Sequence, residues 1–452
     1  MREIEVTAIP LEGLADYLAP GRAEQLAARA AEVGRLLEGR TVWNINSTAT
    51  GGGVAEMLRT IVGYGRGAGI DVRWLVVDGD GRFFAITKRV HNRLHGFPGD
   101  GGPLGPEEQN YYAAVLAGNL GLARERIRPG DVVILHDPQT AGLVEELDRL
   151  GAHVVWRSHV GRDEADAFTD EAWAFLRSFM EGVPIAVFTR RRYAPSWLPE
   201  ERIRVIPPSL DPQSAKNCPL SGEAVNALLR RADLLRNGLT GEDLMPHDAS
   251  VVLQVSRWDR LKDMAGVLTG FAEHIDSMPG DAHLVLAGPD VSGVTDDPEG
   301  GEVLAECLEL WRGLPRLTRA RVHLRTLPMQ DLTENALLVN GLQRHASVVV
   351  QKSLEEGFGL TVLEPLWKSR AVVASAVGGI QDQIEDGVSG LLLKDPTDLA
   401  TFAQQVARVL HDRALGHRLG EEAHRRVQDR FLADRHLIQY GDLFQSLLDR
   451  PA

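Results

Sequence analysis

The chain has 452 residues, which is more than one ordinary hydrophobic core accommodates, so its length predicts two domains. Its hydrophobic share of 44% and charged share of 25% are typical of a globular protein and not of a disordered one. The formal net charge of -14 argues against nucleic acid or an anionic membrane as the main partner of its surface.

The N-terminal text MREIEVTAIPLEGL carries acidic residues and lacks the apolar core of a secretory signal. No stretch is long and apolar enough to span a bilayer, so we expect a cytoplasmic protein with no membrane partner. The two cysteines, Cys218 and Cys307, are far apart and outside any metal-ligand spacing. They predict neither a disulfide framework nor a zinc site.

An amphipathic helical stretch, Ala23 to Leu37, comes first, and short β-branched runs then alternate with longer helical patterns. This alternation is typical of α/β domains with parallel sheets. The strands predicted in the first half are Thr41–Asn46, Asp71–Val77, Asp131–His136, His153–His159, Ile185–Thr189 and Arg204–Pro207.

A polar segment, DPQSAKNCP at residues 211–219, is bracketed by prolines and suits a connector. The alternation resumes after it, with strands predicted at Ser250–Ser256, His283–Ala287, Val322–Arg325, Ser347–Gln351, Ala371–Ala376 and Leu391–Leu393. The sequence thus predicts an α/β fold with two doubly wound, Rossmann-like domains, residues 1–212 and 213–430. The C-terminal helical segment, 431–452, is expected to pack back on the first domain.

The most informative motif is EEGFGLTVLEP, residues 355–365, which follows the apolar strand SVVVQKS. Its glycines permit a close backbone approach at the end of a strand, and a helix is predicted to begin near Thr361. The N–H groups at such a helix start would face an anionic ligand such as a diphosphate. The candidate donor-binding residues of this loop are Gly357, Phe358, Gly359 and Leu360.

Two glutamates of this motif are predicted to have different roles. Glu356 lies on the loop and would contact a sugar, whereas Glu364 lies about one turn into the helix. Glu364 is expected to accept hydrogen bonds from ribose hydroxyls, as acidic residues do in other nucleotide-binding domains of this class. The alternative is a glycine turn whose glutamates are only solvated.

A second motif, SRWDRLKD at residues 256–263, lies between the strand SVVLQVS and a predicted helix. Cations at the end of a strand can neutralise a leaving diphosphate. Arg257 would bind it with its forked guanidinium and Lys262 as a point charge. Charged residues in such loops are otherwise often only solvated.

In the first half, the strand TVWNINS is followed by a glycine loop, Gly51, Gly52 and Gly53, and a helix predicted to start near Val54. The position is that of a phosphate-binding turn, but the spacing is not that of the dinucleotide fingerprint. His136 and His159 end two strands and point toward the expected ligand edge of the sheet. Arg157 shares the strand face of His159 and is expected to add positive charge.

Asp78-Gly79-Asp80 has the acid-x-acid form that holds a metal in another class of sugar transferases. It lies in a glycine-rich turn after a strand, where acidic residues usually serve the turn itself. We therefore predict no metal site.

Taken together, the second-half motifs resemble the retaining glycosyltransferases of family four. The resemblance rests on Ser256-Arg257 with Lys262, on Glu356 and Glu364 around Gly-Phe-Gly, and on VGGI at 377–380 followed by DGVSG at 386–390. It implies the GT-B fold, in which two such domains face each other across a cleft. It also implies a nucleotide-sugar site on the second domain, an acceptor site on the first, and catalysis without a required metal or cofactor.

The first half is similar to the trehalose synthases within that family, on the segments VWNINSTATGGGVAEML, HNRLHG, HDPQTAGL, WRSHV and PPSLDPQSAKN. By this resemblance Arg257 and Lys262 match the diphosphate-binding pair, Glu364 the ribose contact and Glu356 the sugar-binding loop. His159 matches the active-site histidine, and Gly51–Gly53 the loop that faces donor phosphate and acceptor. Together, His159, Glu356, Arg257 and Lys262 are the predicted catalytic set.

The resemblance implies transfer of glucose from UDP-, ADP- or GDP-glucose to glucose, with retention, to form α,α-trehalose. The segment GRDEADAFTD after His159 departs from the pattern of trehalose synthases, which leaves another sugar or an aminocyclitol open as the acceptor. A trehalose phosphorylase and a non-catalytic sugar-nucleotide sensor are the further alternatives. The long helical tail and acidic surface are compatible with a homodimer.

Overall fold

The computed structural model describes residues 1–50, 52–234, 245–291 and 298–449. The chain forms two compact units, one of Met1–Ser209 with Phe431–Ala452 and one of Leu210–Arg430. The connection between them therefore begins within a few residues of the proline-bracketed segment. The C-terminal segment belongs to the first unit.

The first unit is built on a seven-stranded sheet in the order β1-β3-β2-β4-β5-β6-β7. Its strands are β1 Arg2–Ile4, β2 Val42–Asn46, β3 Val72–Val76, β4 Val132–His136, β5 His153–Ser158, β6 Ile185–Phe188 and β7 Ile203–Val205. All neighbours pair in parallel except β1, which pairs antiparallel with β3 at one edge. The sequence pattern missed β1 because three residues with no buried side chain carry no apolar signal.

Helices cover both faces of this sheet. They are α1 Arg22–Leu36, α2 Gly53–Gly67, α3 Gly81–Leu94, α4 Pro106–Arg126, α5 Val144–Arg149 and α6 Ala167–Met180, with α16 Ala433–Leu448 from the chain end. One core, around Trp43, Ile45 and Leu135, lies on one face, and a second, around Val42, Trp74 and Ile134, lies on the other. The alternation of these residues along β2 and β4 is what a sheet buried on both faces requires.

The second unit has a six-stranded sheet in the order β10-β9-β8-β11-β12-β13, paired in parallel throughout. Its strands are β8 Ser250–Val255, β9 Ala282–Pro289, β10 Val322–Leu327, β11 Val348–Gln351, β12 Ala371–Ser375 and β13 Leu391–Leu393. Sheet order reverses between β8 and β11, so the loops that follow these two strands leave in opposite directions. In open parallel sheets this is where ligands bind.

The helices of the second unit are α7 Gly222–Arg231, α8 Met264–Glu273, α9 Pro298–Gly313, α10 Arg316–Arg319, α11 Leu332–His345, α12 Leu360–Trp367, α13 Ile380–Gln383, α14 Leu399–His411 and α15 Arg413–Arg430. A short 3-10 helix, Arg260–Lys262, lies between β8 and α8. The α/β fold with two parallel sheets that the sequence predicts is confirmed.

Helix α16 packs against α1 and the sheet of the first unit. The Arg22 guanidinium donates to both carboxylate oxygens of Asp434, at 2.9 and 2.8 Å. Tyr440 and Phe444 are buried in the core beside Val33. None of the helices in the described ranges is both long enough and apolar enough to cross a membrane.

Candidate functional site

The two predicted motifs of the second unit meet at the carboxyl ends of β8 and β11. The Lys262 ammonium lies 2.6 Å from a carboxylate oxygen of Glu356. The hydroxyl of Ser256 donates to the Gln351 side chain at 3.0 Å, and the Leu354 N–H donates to the Leu261 carbonyl at 2.8 Å. Residues nearly a hundred positions apart in sequence therefore form one site within one unit.

The loop that carries Arg257 and Lys262 is organised by Asp259. One Asp259 carboxylate oxygen accepts the Leu261 N–H at 2.9 Å, which starts the 3-10 helix, and the other accepts from Arg257 at 2.7 Å. The buried amide of Gln254 donates to the Lys262 carbonyl at 2.8 Å. These bonds fix the backbone, while the Arg257 side chain keeps 44% of its surface exposed.

The glycine loop ahead of α12 is also built for close approach. Gly359 caps the helix with φ +90, a left-handed conformation that favours glycine. A Cβ on Gly379 would lie 2.7 Å from the Phe358 Cα, so this second glycine loop packs directly on the first. The Gln383 amide donates to the Phe358 carbonyl at 2.6 Å. In the first turn of α12, the Val362 N–H donates to the Gly359 carbonyl at 3.0 Å, whereas the N–H groups of Leu360 and Thr361 have no acceptor inside the helix, which suits an anion.

Glu364 lies one turn into α12 and is 4% exposed. It accepts a hydrogen bond from Gln343 at 2.9 Å and pairs with Lys216 at 3.4 Å. A carboxylate offers about four acceptor positions, so these contacts leave capacity for the hydroxyls of a ribose. The predicted ribose contact stays a prediction.

In the first unit, polar side chains form a chain across one face of the sheet. Arg157 Nε lies 3.4 Å from His159 Nδ1, His159 Nε2 lies 3.0 Å from His136 Nδ1, and His136 Nε2 lies 3.1 Å from Asn44 Oδ1. A guanidinium only donates, so His159 Nδ1 accepts. His159 then carries its proton on Nε2 and donates it to His136 Nδ1. His136 in turn carries its proton on Nε2 and donates it to Asn44 Oδ1, so one tautomer of each ring satisfies every hydrogen bond of the chain.

Both histidines are held neutral. Burial lowers the pKa of His136 well below its ordinary value, and the nearby Arg157 charge lowers it further. The pKa of His159 is lowered by the same two causes and by its neighbours His136 and His436. The carboxylate of Asp137 accepts the backbone N–H of His159 at 2.7 Å, and burial raises the pKa of Asp137 to about 7.

Two expectations for this unit need correction or restriction. Arg157 was expected to present positive charge to a ligand, but its side chain is fully buried and donates to Tyr440 at 2.6 Å and to the Ile206 carbonyl at 3.0 Å. That expectation is wrong, and Arg157 instead supports His159. Both ring nitrogens of His159 have protein partners, so a hydrogen bond from the ring to a sugar hydroxyl requires one of them to open.

The glycine loop between β2 and α2 is partly described. Gly51 lies outside the described residues. Gly52 has φ +89 and precedes α2, which begins at Gly53. The Ala49 carbonyl accepts from Arg59 at 3.0 Å, which ties the loop to the helix that follows it. A glycine is required at position 52 by its backbone conformation.

Asp78 and Asp80 have structural partners. Asp80 caps α3 by accepting the Phe83 N–H at 2.9 Å, and Asp78 pairs with the N-terminal amine. Within the described part of the chain, no group of three or more His, Cys, Asp or Glu side chains is placed to hold a metal ion.

Sequence reasoning missed several polar residues that contact the predicted site residues or their loops: Asn44 in the first unit, and Gln254, Asp259, Gln343 and Lys352 in the second. Asn44, Gln254 and Lys352 lie in or directly after strands that otherwise carry buried apolar residues. A polar residue inside such a strand is the one signal in sequence that could have identified them, because burying it requires a specific partner.

Family models match both halves of the chain. A model described as trehalose synthase, N-terminal domain, matches residues 44–195. A model described as glycosyl transferases group 1 matches residues 241–426.

Several curated proteins are similar to this chain, two of them over nearly their whole length. The trehalose synthase of Thermococcus litoralis is 33% identical over 445 residues, 98% of this chain and 99% of that protein. The trehalose synthase of Rubrobacter xylanophilus is 33% identical over 441 residues, 97% of both chains. A trehalose phosphorylase of Grifola frondosa is 26% identical over 404 residues, 85% of this chain and 54% of that protein.

Among solved structures, an α,α-trehalose-phosphate synthase (UDP-forming) from Burkholderia vietnamiensis matches with a TM-score of 0.68 at 17% identity, over 91% of this chain and 97% of that one. A sucrose-phosphate synthase from Thermosynechococcus elongatus matches with a TM-score of 0.65 at 18% identity, over 90% and 99%. At these identities the likeness shows the fold.

Proposed function

The chain belongs to the trehalose synthases, a group of family-four glycosyltransferases with the GT-B fold, and we propose that it moves glucose from a nucleotide-glucose onto free glucose. The product would be α,α-trehalose, formed with retention at the anomeric carbon. UDP-, ADP- or GDP-glucose would serve as the donor. The observation that carries the proposal is the contact between Lys262 and Glu356 beside the start of α12.

Breaking the bond between glucose and the nucleotide requires stabilisation of the charges that develop in the transition state. As the bond from the anomeric carbon to the diphosphate breaks, negative charge grows on the leaving group and positive charge on the sugar. Lys262, the exposed guanidinium of Arg257 and the first N–H groups of α12 are suited to the leaving group. Glu356, held 2.6 Å from Lys262, is suited to the hydroxyls of the attached hexose.

We propose that the leaving phosphate itself takes the acceptor's proton. The bond from the anomeric carbon to the phosphate oxygen breaks, and a bond from that carbon to the acceptor hydroxyl oxygen forms on the same face. The hydroxyl proton passes to the departing phosphate oxygen. Retention follows without a covalent sugar-protein intermediate, and no metal or cofactor is needed to balance the step.

His159 has a positioning role in this proposal and is not a nucleophile. The chain from Arg157 through His159 and His136 to Asn44 holds the ring in one tautomer and keeps it neutral. A neutral ring adds no positive charge beside a carbon that is itself becoming positive. We propose that glucose, as the acceptor, binds the first unit near this histidine.

The test is a matrix of donors and acceptors with the purified protein. UDP-, ADP- and GDP-glucose are each incubated with glucose, with other hexoses and with an aminocyclitol, and the released nucleotide and the sugar product are identified. The proposal expects one equivalent of nucleoside diphosphate per trehalose, and only when glucose is present. Product with another acceptor but not with glucose would move the protein to a different biosynthetic role.

A second candidate is phosphorolysis of trehalose, and the similarity to a trehalose phosphorylase favours including it. The site that suits a leaving diphosphate would then take inorganic phosphate. Incubation with trehalose and phosphate, without nucleotide, separates the two functions. Glucose and glucose phosphate as products would favour the phosphorylase, whereas a requirement for nucleoside diphosphate favours the transferase.

A further inference from the structure

An ion pair with a buried lysine joins Asp263, the residue after Lys262, to Lys352 at the end of β11. Lys352 follows β11, has 1% of its side chain exposed, and pairs with the carboxylate of Asp263. Its ammonium also donates to the Pro396 carbonyl at 2.6 Å. A buried lysine is costly unless it is paired, so this pair is a specific feature of the site. It has no part in the proposed contacts with the donor.

Asp263 has an unusual backbone conformation. Its φ of +48 and ψ of +46 are left-handed, which few residues other than glycine adopt, although aspartate and asparagine tolerate it better than most. The residue ends the 3-10 helix Arg260–Lys262 and caps α8, where its carboxylate accepts the Gly266 N–H at 3.1 Å. The chain therefore turns sharply at the residue directly after Lys262.

This turn sets the direction of the Lys262 peptide group. The Lys262 carbonyl accepts from Gln254 at 2.8 Å, and the Lys262 ammonium reaches Glu356. A right-handed or extended conformation at residue 263 would rotate the peptide group between residues 262 and 263. The carbonyl would then leave Gln254, and the side chain would be displaced from Glu356.

We propose that Lys352 and Asp263 are positioning residues: their ion pair holds residue 263 in the left-handed conformation that directs Lys262 toward the donor diphosphate. The inference rests on the proposed function, because it assigns the purpose of the pair from the role given to Lys262. Burial raises the pKa of Asp263, and Lys352 opposes this shift by stabilising the carboxylate.

The test compares two double variants that both lack the ion pair and the cap. Glycine adopts the left-handed conformation without strain, whereas alanine does not. Asp263→Gly with Lys352→Met should therefore bind nucleoside diphosphate within about threefold of the unchanged protein, while Asp263→Ala with Lys352→Met should bind about tenfold more weakly. Titration calorimetry with UDP, ADP and GDP measures this, and circular dichroism checks that each variant is folded.

Two further variants complete the series. Lys352→Met alone leaves the partly buried Asp263 carboxylate without its cation and should weaken binding about tenfold or more and lower kcat. Lys394→Met, at an exposed lysine after β13, makes the same chemical change outside the ion pair and should bind as the unchanged protein does.

The outcomes are distinct. Equal affinities of the glycine and alanine double variants, whether both strong or both weak, would overturn the positioning role, because the pair would then not act through the conformation of residue 263. No binding of any of the three nucleotides by the unchanged protein would overturn the proposed function itself, and this inference with it.

Discussion

At the scale of single residues, the cations of the loop between β8 and α8, residues 256–263, differ in what surrounds them. Lys262 is largely enclosed and paired with Glu356, whereas Arg257 is more exposed and paired with Asp259. The side chain of a third cation of the same loop, Arg260, pairs with the exposed glutamates Glu302 and Glu306. Arg260 can therefore serve as a control for the effect of removing a positive charge from this loop.

Replacing Lys262 by Met or Arg257 by Ala should lower kcat/KM for the nucleotide-glucose by about a hundredfold, because each removes charge that we propose to stabilise the leaving diphosphate. Arg260→Ala should change it by less than about threefold, since exposed ion pairs contribute little. Steady-state kinetics with each variant provides the measurement. Full activity in both Lys262→Met and Arg257→Ala would contradict the assigned roles.

His136 should matter through His159, which it contacts at 3.0 Å. His136→Phe removes the acceptor of the His159 proton, so kcat should fall about tenfold while KM for the donor stays unchanged. His136→Gln restores an acceptor and should recover part of the loss. His153→Phe, at the opposite end of β5, is the control. Equal kcat in the Phe and Gln variants of His136 would show that the chain has no such role.

At the scale of elements, two glycine loops pack backbone to backbone before α12 and α13. Gly379→Ala places a Cβ 2.7 Å from the Phe358 Cα and 2.9 Å from the Gly357 carbonyl oxygen, neither of which is a flexible side chain. The variant should displace the Gly-Phe-Gly loop and weaken nucleoside diphosphate binding about tenfold. Gly280→Ala, where a Cβ meets no atom within 4 Å, should bind normally. Calorimetry on both variants decides the point.

The edge of the second sheet carries a buried pair of histidines, His283 on β9 and His323 on β10, with ring nitrogens 2.9 Å apart. Burial lowers the pKa of His283 to about 4 and that of His323 to about 3, against an ordinary value of 6.5. Below pH 6.5 these two histidines bind protons in the unfolded chain but stay neutral in the folded chain. The free energy of unfolding should therefore fall as the pH falls toward 4.

Urea unfolding at pH 7 and at pH 5 tests this pH dependence. A variant with His283→Gln and His323→Gln should lose less stability between the two pH values than the unchanged protein. The Gln side chains do not titrate, so any loss that remains belongs to other groups. An identical loss in both proteins would show that the pair does not contribute.

At the scale of the whole molecule, strand and helix alternation predicted both sheets, because buried parallel strands are short apolar runs with clear boundaries. That Lys262 and Glu356 belong to one site followed from the position of each motif directly after a strand and from the family resemblance. The left-handed Asp263 did not follow, since no local pattern distinguishes it from an ordinary loop residue, and the polar Lys352 directly after an apolar strand was not recognised as buried. Arg157 was misjudged because strand periodicity gives the face of a side chain but not what covers it, here Tyr440 of α16.

We propose that glucose leaves a nucleotide and joins free glucose with retention. The most direct measurement follows the reaction by carbon NMR, with a nucleotide-glucose labelled at its anomeric carbon and unlabelled glucose as the acceptor. For the proposed reaction we expect the label to appear first and only in an α,α-linked disaccharide, as one glucosyl half of trehalose. A β-linked product, or label that ends in free glucose, would contradict it.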